Sequence, residues 1–245
     1  FHAHRIPASD LERDDARKRL GRLWQDVAHV TLSARLFLTA LLLFAAVIAL
    51  GFAVTAGRFH DFDIAVSHAL NLQRGVSHDW LILVMQGISW IGGGIQRYVV
   101  VGILALALWR WSGRGAALAM AVATLASALT SDILKSFFAR ARPDLVPQLD
   151  LISSPAFPSG HATNAAVVYL LFIMLVPQAR HPAWRLAAAA MILLMGLSRI
   201  LLNVHWPTDV IGGWMLGASF ALIAAAVISL RQEQPQSKAP TVQKF

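Results

Sequence analysis

The sequence predicts an all-α polytopic membrane protein, a bundle of six transmembrane helices with short amphipathic helices at the interface. Apolar side chains make up 57% of the 245 residues and charged side chains only 14%, whereas a soluble domain carries about 25% charged residues. The apolar residues also gather in long runs, the first of which, 36–56, has 21 residues without a charge. About 20 such residues span the hydrocarbon core of a bilayer.

Five further apolar runs continue the pattern, at about 95–110, 115–134, 161–177, 184–203 and 207–230. The second span is preceded by an apolar stretch that contains three consecutive glycines, Gly92 to Gly94. Because glycine tolerates changes of chain direction that other residues do not, we expect a short interfacial helix over 78–91, then a hinge, then the second span. One long kinked helix is the alternative.

The N-terminal segment, residues 1–35, combines apolar and basic side chains. The residues that recur at helical spacing are Leu20, Leu23, Trp24, Val27 and Thr31. This pattern is typical of an amphipathic helix that lies on an anionic membrane surface. A solvated helix packed against the rest of the protein fits the pattern equally well.

Two other segments lie outside the apolar spans. Residues 57–94 belong to the predicted transmembrane domain, 36–230, whereas residues 231–245 follow it. Residues 57–94 mix apolar and polar side chains, and we expect this segment to cap the functional site and to guide a lipid tail towards it. A loop that only covers the span ends is the alternative. One face of a short helix could be formed by Phe62, Ile64, Val66, Ala69 and Leu70. The polar residues 231–245 indicate a disordered tail.

The 21 Lys and Arg residues divide unequally between the two sides of this bundle. Fourteen precede span one, follow spans two and four, or lie in the tail, and seven lie on the other side. Basic residues are retained on the cytoplasmic side of membrane proteins. We therefore expect a multi-pass protein of the cytoplasmic (inner) membrane with both termini in the cytoplasm and with 57–94, 135–160 and 199–208 facing outward.

Ionisable residues from three remote segments meet at this outward edge, where such groups are costly and generally functional. They are Lys135, Arg142, His161, Arg199, His205 and Asp209. Arg and Lys donate to phosphate oxygens, and a neutral His can attack phosphorus. A carboxylate four residues from a His can fix its tautomer, and a second His can protonate the leaving oxygen. These residue types together predict phosphoryl transfer.

The cations take the place that a metal holds in many other phosphoryl-transfer sites. The nearby carboxylates, Asp132, Asp144, Asp150 and Asp209, are too few for a two-metal centre, so no metal and no cofactor are expected. The absence of cysteine excludes disulfides, thiolate zinc sites and Cys nucleophiles.

The same residues lie in three motifs: K-x6-R-P from Lys135, P-S-G-H from Pro158 and S-R-x5-H-x3-D from Ser198. All eleven fixed positions resemble the signature of the type-2 phosphatidic acid phosphatase superfamily, in its order and spacing. The membrane layout and the size are similar to those of its bacterial lipid phosphatases, phosphatidylglycerophosphatase B and undecaprenyl-diphosphate phosphatase.

This resemblance implies a role for each motif residue. His205 would be the nucleophile, Asp209 would orient it, and His161 would protonate the leaving group and later activate water. The phosphate would be bound by Lys135, Arg142, Ser159, Gly160 and Arg199. Arg140 lies outside the fixed pattern, and we interpret it as an interfacial anchor or a lipid head-group contact.

The implied activity is metal-independent hydrolysis of lipid phosphates or diphosphates through a phosphohistidine at the outer face of the membrane. Undecaprenyl diphosphate and phosphatidylglycerophosphate are the favoured substrates. The expected partners are the lipid phosphate and the membrane bilayer, and no nucleic acid is expected. The alternatives are a lipid phosphotransferase, a lipid A phosphatase, or a non-enzymatic phospholipid transporter or scaffold.

In span six, Gly213 and Gly217 indicate close helix packing within the bundle, with a dimer face as the alternative.

Overall fold

A computed structural model describes the backbone of residues 8–232 and the side chains of 31–179 and 181–231. Nearly all of the predicted tail, 231–245, therefore lies outside the described residues. The side chains of residues 1–30, most of the predicted amphipathic segment 1–35, also lie outside them. All regular structure in the described part is helical, as the sequence predicts.

Eight α-helices and one 3-10 turn follow one another through the described residues. They are α1 (Ala8–Thr55), α2 (His60–Leu70), α3 (Asp79–Gly92), α4 (Gln96–Ser112), α5 (Arg114–Phe138), α6 (Gly160–Leu175), the 3-10 turn (Pro177–Arg180), α7 (Pro182–Leu201) and α8 (Pro207–Gln232). The N-terminal segment and the first span form one unbroken helix, because α1 continues through residue 35 without an interruption.

Four of these helices contain segments long and apolar enough to cross a membrane: Thr31–Thr55, Arg114–Phe138, Pro182–Leu201 and Pro207–Arg231. Helices α3 and α4 are bent by 62° at a short break and would together provide a fifth crossing. Helix α6 is apolar but has only 16 residues. The structure thus confirms a helical membrane protein, whereas the predicted count of six spans is not confirmed.

The break between α3 and α4 lies at the predicted glycine hinge. Helix α3 ends at Gly92 and α4 begins at Gln96. Gly94 has a φ of +50°, a left-handed conformation that glycine adopts without a steric penalty. The glycines therefore allow the chain to turn sharply between α3 and α4.

Helix α8 lies at the centre of the bundle, in contact with α1, α5, α6 and α7. Two glycines one turn apart bring it against α6. A Cβ atom on Gly213 would lie 2.5 Å from the carbonyl oxygen of Ser159, and one on Gly217 would overlap the carbonyl oxygen of Thr163. These glycines pack within the chain as predicted, and the contact fixes the start of α6 against the start of α8.

We expect Gly217→Ala to lower the midpoint of thermal unfolding in detergent by several degrees. The added methyl group meets backbone rather than a flexible side chain, and overpacking of this kind costs about 1–3 kcal/mol. Gly102→Ala in α4 is the matched control, because no atom lies within 4 Å of its Cβ position. Equal midpoints for the two variants would show that the α6–α8 contact is not tight.

Candidate active site

The predicted site residues come together at one end of the bundle, where five chain segments meet. Helix α5 supplies Lys135 near its end, and the 139–159 loop supplies Arg142. The start of α6 supplies Ser159, Gly160 and His161, the end of α7 supplies Arg199, and the α7–α8 connection and the start of α8 supply His205 and Asp209.

The α7–α8 connection presents His205 through a tight turn. Asn203 has a φ of +56°, a conformation that Asn tolerates better than most residues. The chain then doubles back, so that the N–H groups of Val204 and His205 both donate to the carbonyl of Arg199, at 3.1 and 3.2 Å. The imidazole is consequently held in the interior with almost no exposed surface.

The two nitrogens of the His205 ring have different neighbours. Nδ1 lies 3.5 Å from Oδ2 of Asp209, and Nε2 lies 3.3 Å from Nη1 of Arg142. Because 3.5 Å exceeds the usual hydrogen-bond length, the Asp209 contact is loose, and Nδ1 has no hydrogen-bond partner among the described residues. The ring therefore directs Nε2 towards the cations and Nδ1 towards the carboxylate.

The pKa of His205 lies well below the ordinary value of 6.5. Burial disfavours the imidazolium, and the nearby charges of Arg142, Arg199 and Lys135 lower the pKa further. His205 is neutral at pH 7 for these reasons, and a neutral imidazole retains the lone pair that a nucleophile needs.

Asp209 is fully buried in the first turn of α8. Its Oδ2 accepts a hydrogen bond of 2.8 Å from the backbone N–H of Trp206. Its Oδ1 forms an ion pair with Nη1 of Arg140. The carboxylate is thus held at both oxygens, and one edge of Oδ2 remains directed at His205.

Arg140 corrects one interpretation made from the sequence. Its guanidinium is neither a surface anchor nor a lipid head-group contact, because it lies between the carboxylates of Asp209 and Asp63. The sequence did not identify Asp63 as a site residue. The available signal was an acid among the apolar residues of a short predicted helix, which is costly to bury without a partner.

Arg142 is tethered to the loop that carries it and to the His205 turn. Its Nε donates to the carbonyl of Ser154 at 2.7 Å, and its Nη1 donates to the carbonyl of Val204. The hydroxyl of Ser154 accepts from Arg142 Nη2 and from Lys135 Nζ, both at 3.3 Å. Burial, together with the neighbouring Arg199 cation, lowers the pKa of Arg142 to about 10, so the guanidinium stays charged at neutral pH.

Arg199 is fully buried, and only one of its three nitrogens is engaged. Nη1 lies 2.8 Å from Oδ2 of Asp150 and donates to the hydroxyl of Ser89. Nε and Nη2 have no partner among the described residues. Partial burial alone would raise the pKa of Asp150, but the hydrogen bond and charge of Arg199 lower it. Two guanidinium donors are therefore available for an anion.

The start of α6 adds a further side-chain group without a partner. Ser159 is the residue that precedes this helix, and its hydroxyl is buried and unbonded within the part of the chain that is described. Free N–H groups at a helix start favour anions. The hinge covers this corner, because a Cβ atom on Gly93 would lie 2.9 Å from Nε2 of His161. Only glycine permits so close an approach.

The arrangement suits a tetrahedral oxyanion. Three cations and a serine hydroxyl surround two imidazoles, and several of their donors lack partners in the described residues. Among those residues, no three His, Asp or Glu side chains are grouped so that they could hold a metal ion. A cavity of about 260 Å³ adjoins Gly160 and extends between α4, α5 and α6.

Comparison with known proteins agrees with the motifs. The family model described as the PAP2 superfamily matches residues 116–233. The chain is 33% identical over 171 residues to phosphatidylglycerophosphatase B of Bacillus subtilis, covering 67% of this chain and 82% of that protein. It is also 33% identical over 112 residues to a lipid A 1-phosphatase of Rhizobium johnstonii, covering 42% of this chain and 44% of the relative.

A solved structure shares the architecture. The crystal structure of a transmembrane PAP2-type phosphatidylglycerolphosphate phosphatase from Bacillus subtilis superposes with a TM-score of 0.69 at 28% identity. The match covers 78% of this chain and 96% of that one. Sequence, motifs and fold therefore agree, and the chain belongs to the PAP2 superfamily.

Proposed function

We propose that this chain hydrolyses phosphate or diphosphate esters of lipids in two metal-independent steps at the outer face of the cytoplasmic membrane. The observation that carries the proposal is the placement of a neutral, buried His205 between Asp209 and Arg142. A nucleophilic imidazole, a carboxylate behind it and cations before it are the groups that phosphohistidine chemistry requires.

In the first step, Nε2 of His205 attacks phosphorus in line with the lipid oxygen. The P–N bond forms and the P–O bond breaks, while protonated His161 gives its proton to the departing lipid. Lys135, Arg142 and Arg199 neutralise the charge on the equatorial oxygens, and Ser159 and the Gly160 amide donate to them. Asp209 stabilises the positive charge that develops on the His205 ring.

In the second step, water replaces the imidazole. The now neutral His161 accepts a proton from the water as its oxygen attacks phosphorus, and the P–N bond breaks. Inorganic phosphate leaves, His205 returns to the neutral state, and His161 is again protonated. A lipid hydroxyl in place of water would make the protein a phosphotransferase.

The surroundings of the site support a lipid substrate. Leu125 and Tyr98 line the cavity beside Gly160 and are exposed on the outside of the helices, so the cavity opens where lipid would lie. The relatives are named for phosphatidylglycerophosphate and for lipid A. Phosphatidylglycerophosphate and undecaprenyl diphosphate are the substrates that we propose, with lipid A phosphates as the second candidate.

The orientation follows from the basic residues. We propose six crossings, with α6 as the fourth, although at 1.5 Å per residue its 16 residues reach only about 24 Å. The Lys and Arg bias supports an orientation with both termini in the cytoplasm and the site outside. Exposed Phe62 and Leu70 on α2 support contact between the predicted cap segment, 57–94, and lipid.

His205→Ala should abolish release of inorganic phosphate from a panel of lipid phosphates in detergent. Loss of a covalent nucleophile lowers the rate by at least about 10³, and excess EDTA should leave the wild type unchanged. His68→Ala on α2 is the matched control, because this histidine is exposed. Residual activity of His205→Ala near that of the wild type would refute the phosphohistidine mechanism.

The dependence of kcat/KM on pH should have an acidic limb that lies below pH 6.5. The reaction needs neutral His205, whose pKa is depressed, so activity persists below 6.5 and is lost only as the pH falls through the lowered value. Arg142→Gln removes a cation that contributes to this depression and should move the limb to higher pH.

Arg58→Gln is the control for this titration, since Arg58 is exposed beyond the end of α1. Its limb should coincide with that of the wild type. If the acidic limb stays in place in Arg142→Gln, this limb does not report the titration of His205.

Narrowing the cavity should discriminate between lipid and soluble substrates. Ala128→Leu introduces bulk into the cavity beside Gly160, so we expect kcat/KM for long-chain lipid phosphates to fall about tenfold. Hydrolysis of a short soluble phosphate ester should change less than twofold. Ala126→Leu is the control, because Ala126 lines a separate groove beside α8. Equal losses on both substrates would contradict this entry route.

A further inference from the structure

Helix α2 buries its polar side rather than its apolar side. Asp63 and Ser67 are 1% exposed, whereas Phe62 and Leu70 are 46% and 37% exposed. A carboxylate is costly to bury unless it is paired and hydrogen-bonded. The position of Asp63 therefore depends on the partners that it finds inside the protein.

Both oxygens of Asp63 have such partners. Oδ2 forms an ion pair of 2.6 Å with Nη2 of Arg140 and accepts from the hydroxyl of Thr208 at 2.7 Å. Oδ1 accepts from the backbone N–H of Thr208 at 3.0 Å. Asp63 is thus joined both to the 139–159 loop and to the first turn of α8.

Arg140 extends this network to the predicted catalytic carboxylate. Its Nη1 contacts Oδ1 of Asp209 and donates to the hydroxyl of Thr208 at 2.8 Å. The other arm of the same guanidinium is engaged by Asp63. One cation is therefore shared by two buried carboxylates, and the chain of contacts continues from Asp209 to His205.

This sharing has a chemical consequence. A guanidinium paired with Asp209 alone would hold that carboxylate strongly and weaken its attraction for the Nδ1–H of His205. A second carboxylate on the opposite arm offsets part of the cation's field. The ion pair also fixes Oδ1, which leaves Oδ2 turned towards the imidazole.

We infer that Asp63 and Arg140 are positioning residues of this active site, and that the Asp63–Arg140–Asp209 bridge sets how strongly Asp209 supports His205 during phosphoryl transfer. The inference rests on the proposed function. It makes α2 part of the catalytic apparatus, because the helix that caps the site also supplies a charge to it.

The other charged groups around His205 come from separate elements. They are Lys135 on α5, Arg142 on the 139–159 loop, His161 on α6 and Arg199 on α7. None of these has a hydrogen bond or ion pair with Asp63 among the described contacts. A neutral substitution of Asp63 thus alters the field at His205 through Arg140 and leaves the phosphate-binding cations in place.

The test is Asp63→Asn, compared with Asp61→Asn, which changes an exposed carboxylate on the same helix. With a short-chain lipid phosphate, kcat should fall at least tenfold while KM stays within twofold. Loss of a negative charge disfavours imidazolium, so the acidic limb of kcat/KM should move to lower pH. Asp61→Asn should match the wild type in all three quantities.

Thr208→Val separates this role from simple anchoring of α2. The variant removes the hydroxyl that links Asp63 and Arg140 but retains all three charges. Its kcat should stay within threefold of the wild type, and its acidic limb should not move. Equal losses in Thr208→Val and Asp63→Asn, with both limbs unmoved, would overturn the inference in favour of anchoring.

If Asp63→Asn does not fold, Arg140→Lys provides the test, because an ammonium cannot bridge two carboxylates as a planar guanidinium does. Its kcat should fall at least tenfold, and a wild-type kcat would overturn the inference. If the wild type releases no phosphate, the proposed function fails instead. The bridge is then tested by NMR titration of the histidines. The pKa of His205 should be lower in Asp63→Asn than in the wild type, and an unchanged pKa would overturn the inference.

Discussion

The site is governed by the cost of burying charge in a bundle that is otherwise apolar. Arg199, Asp209 and Asp63 have almost no exposed surface, and each would be strongly destabilising alone. Every one of them is paired: Arg199 with Asp150, and both carboxylates with Arg140. The positions of α2 and of the 139–159 loop follow from this requirement, because these segments carry the partners.

The pairing is incomplete where the chemistry would occur. Two nitrogens of Arg199 and the hydroxyl of Ser159 are buried without partners in the described residues. Buried donors are rarely left unpaired in proteins, so these groups support the proposal that a phosphate binds here. Donors fixed in this way need no reorganisation as charge develops. In the proposed mechanism, the carboxylates on the Nδ1 side of His205 support the nucleophile, and the free donors on its other side bind the phosphate.

Local patterns in the sequence predicted part of this arrangement. The motifs identified the residues that meet at the site, and the consecutive glycines gave the hinge, because each depends on residue type at short spacing. The role of Asp63 in the bridge was not predicted, because Asp63 lies 145 positions from Thr208. No rule of sequence spacing connects two residues so far apart. Ser89 was missed in the same way, and Asp150 was considered only as a metal ligand, so that its ion pair with Arg199 was not predicted. The span count was not confirmed because α6 is short and α3 and α4 are bent against each other.

Helix α6 begins inside the protein, after a loop segment that is itself buried. Helix α6 begins at Gly160, after a loop whose residues Ala156 and Phe157 are fully buried. In the proposed mechanism this helix start presents its N–H groups to the phosphate beside the histidines. Irregular backbone at this depth must find partners inside the protein. The loop does so: Ala156 donates to the carbonyl of Arg140, and Ser159 donates to that of Asp209, both at 2.9 Å. The backbone bonds that satisfy the loop therefore also join the start of α6, where we propose that phosphate binds, to Asp209, the carboxylate that we propose orients His205.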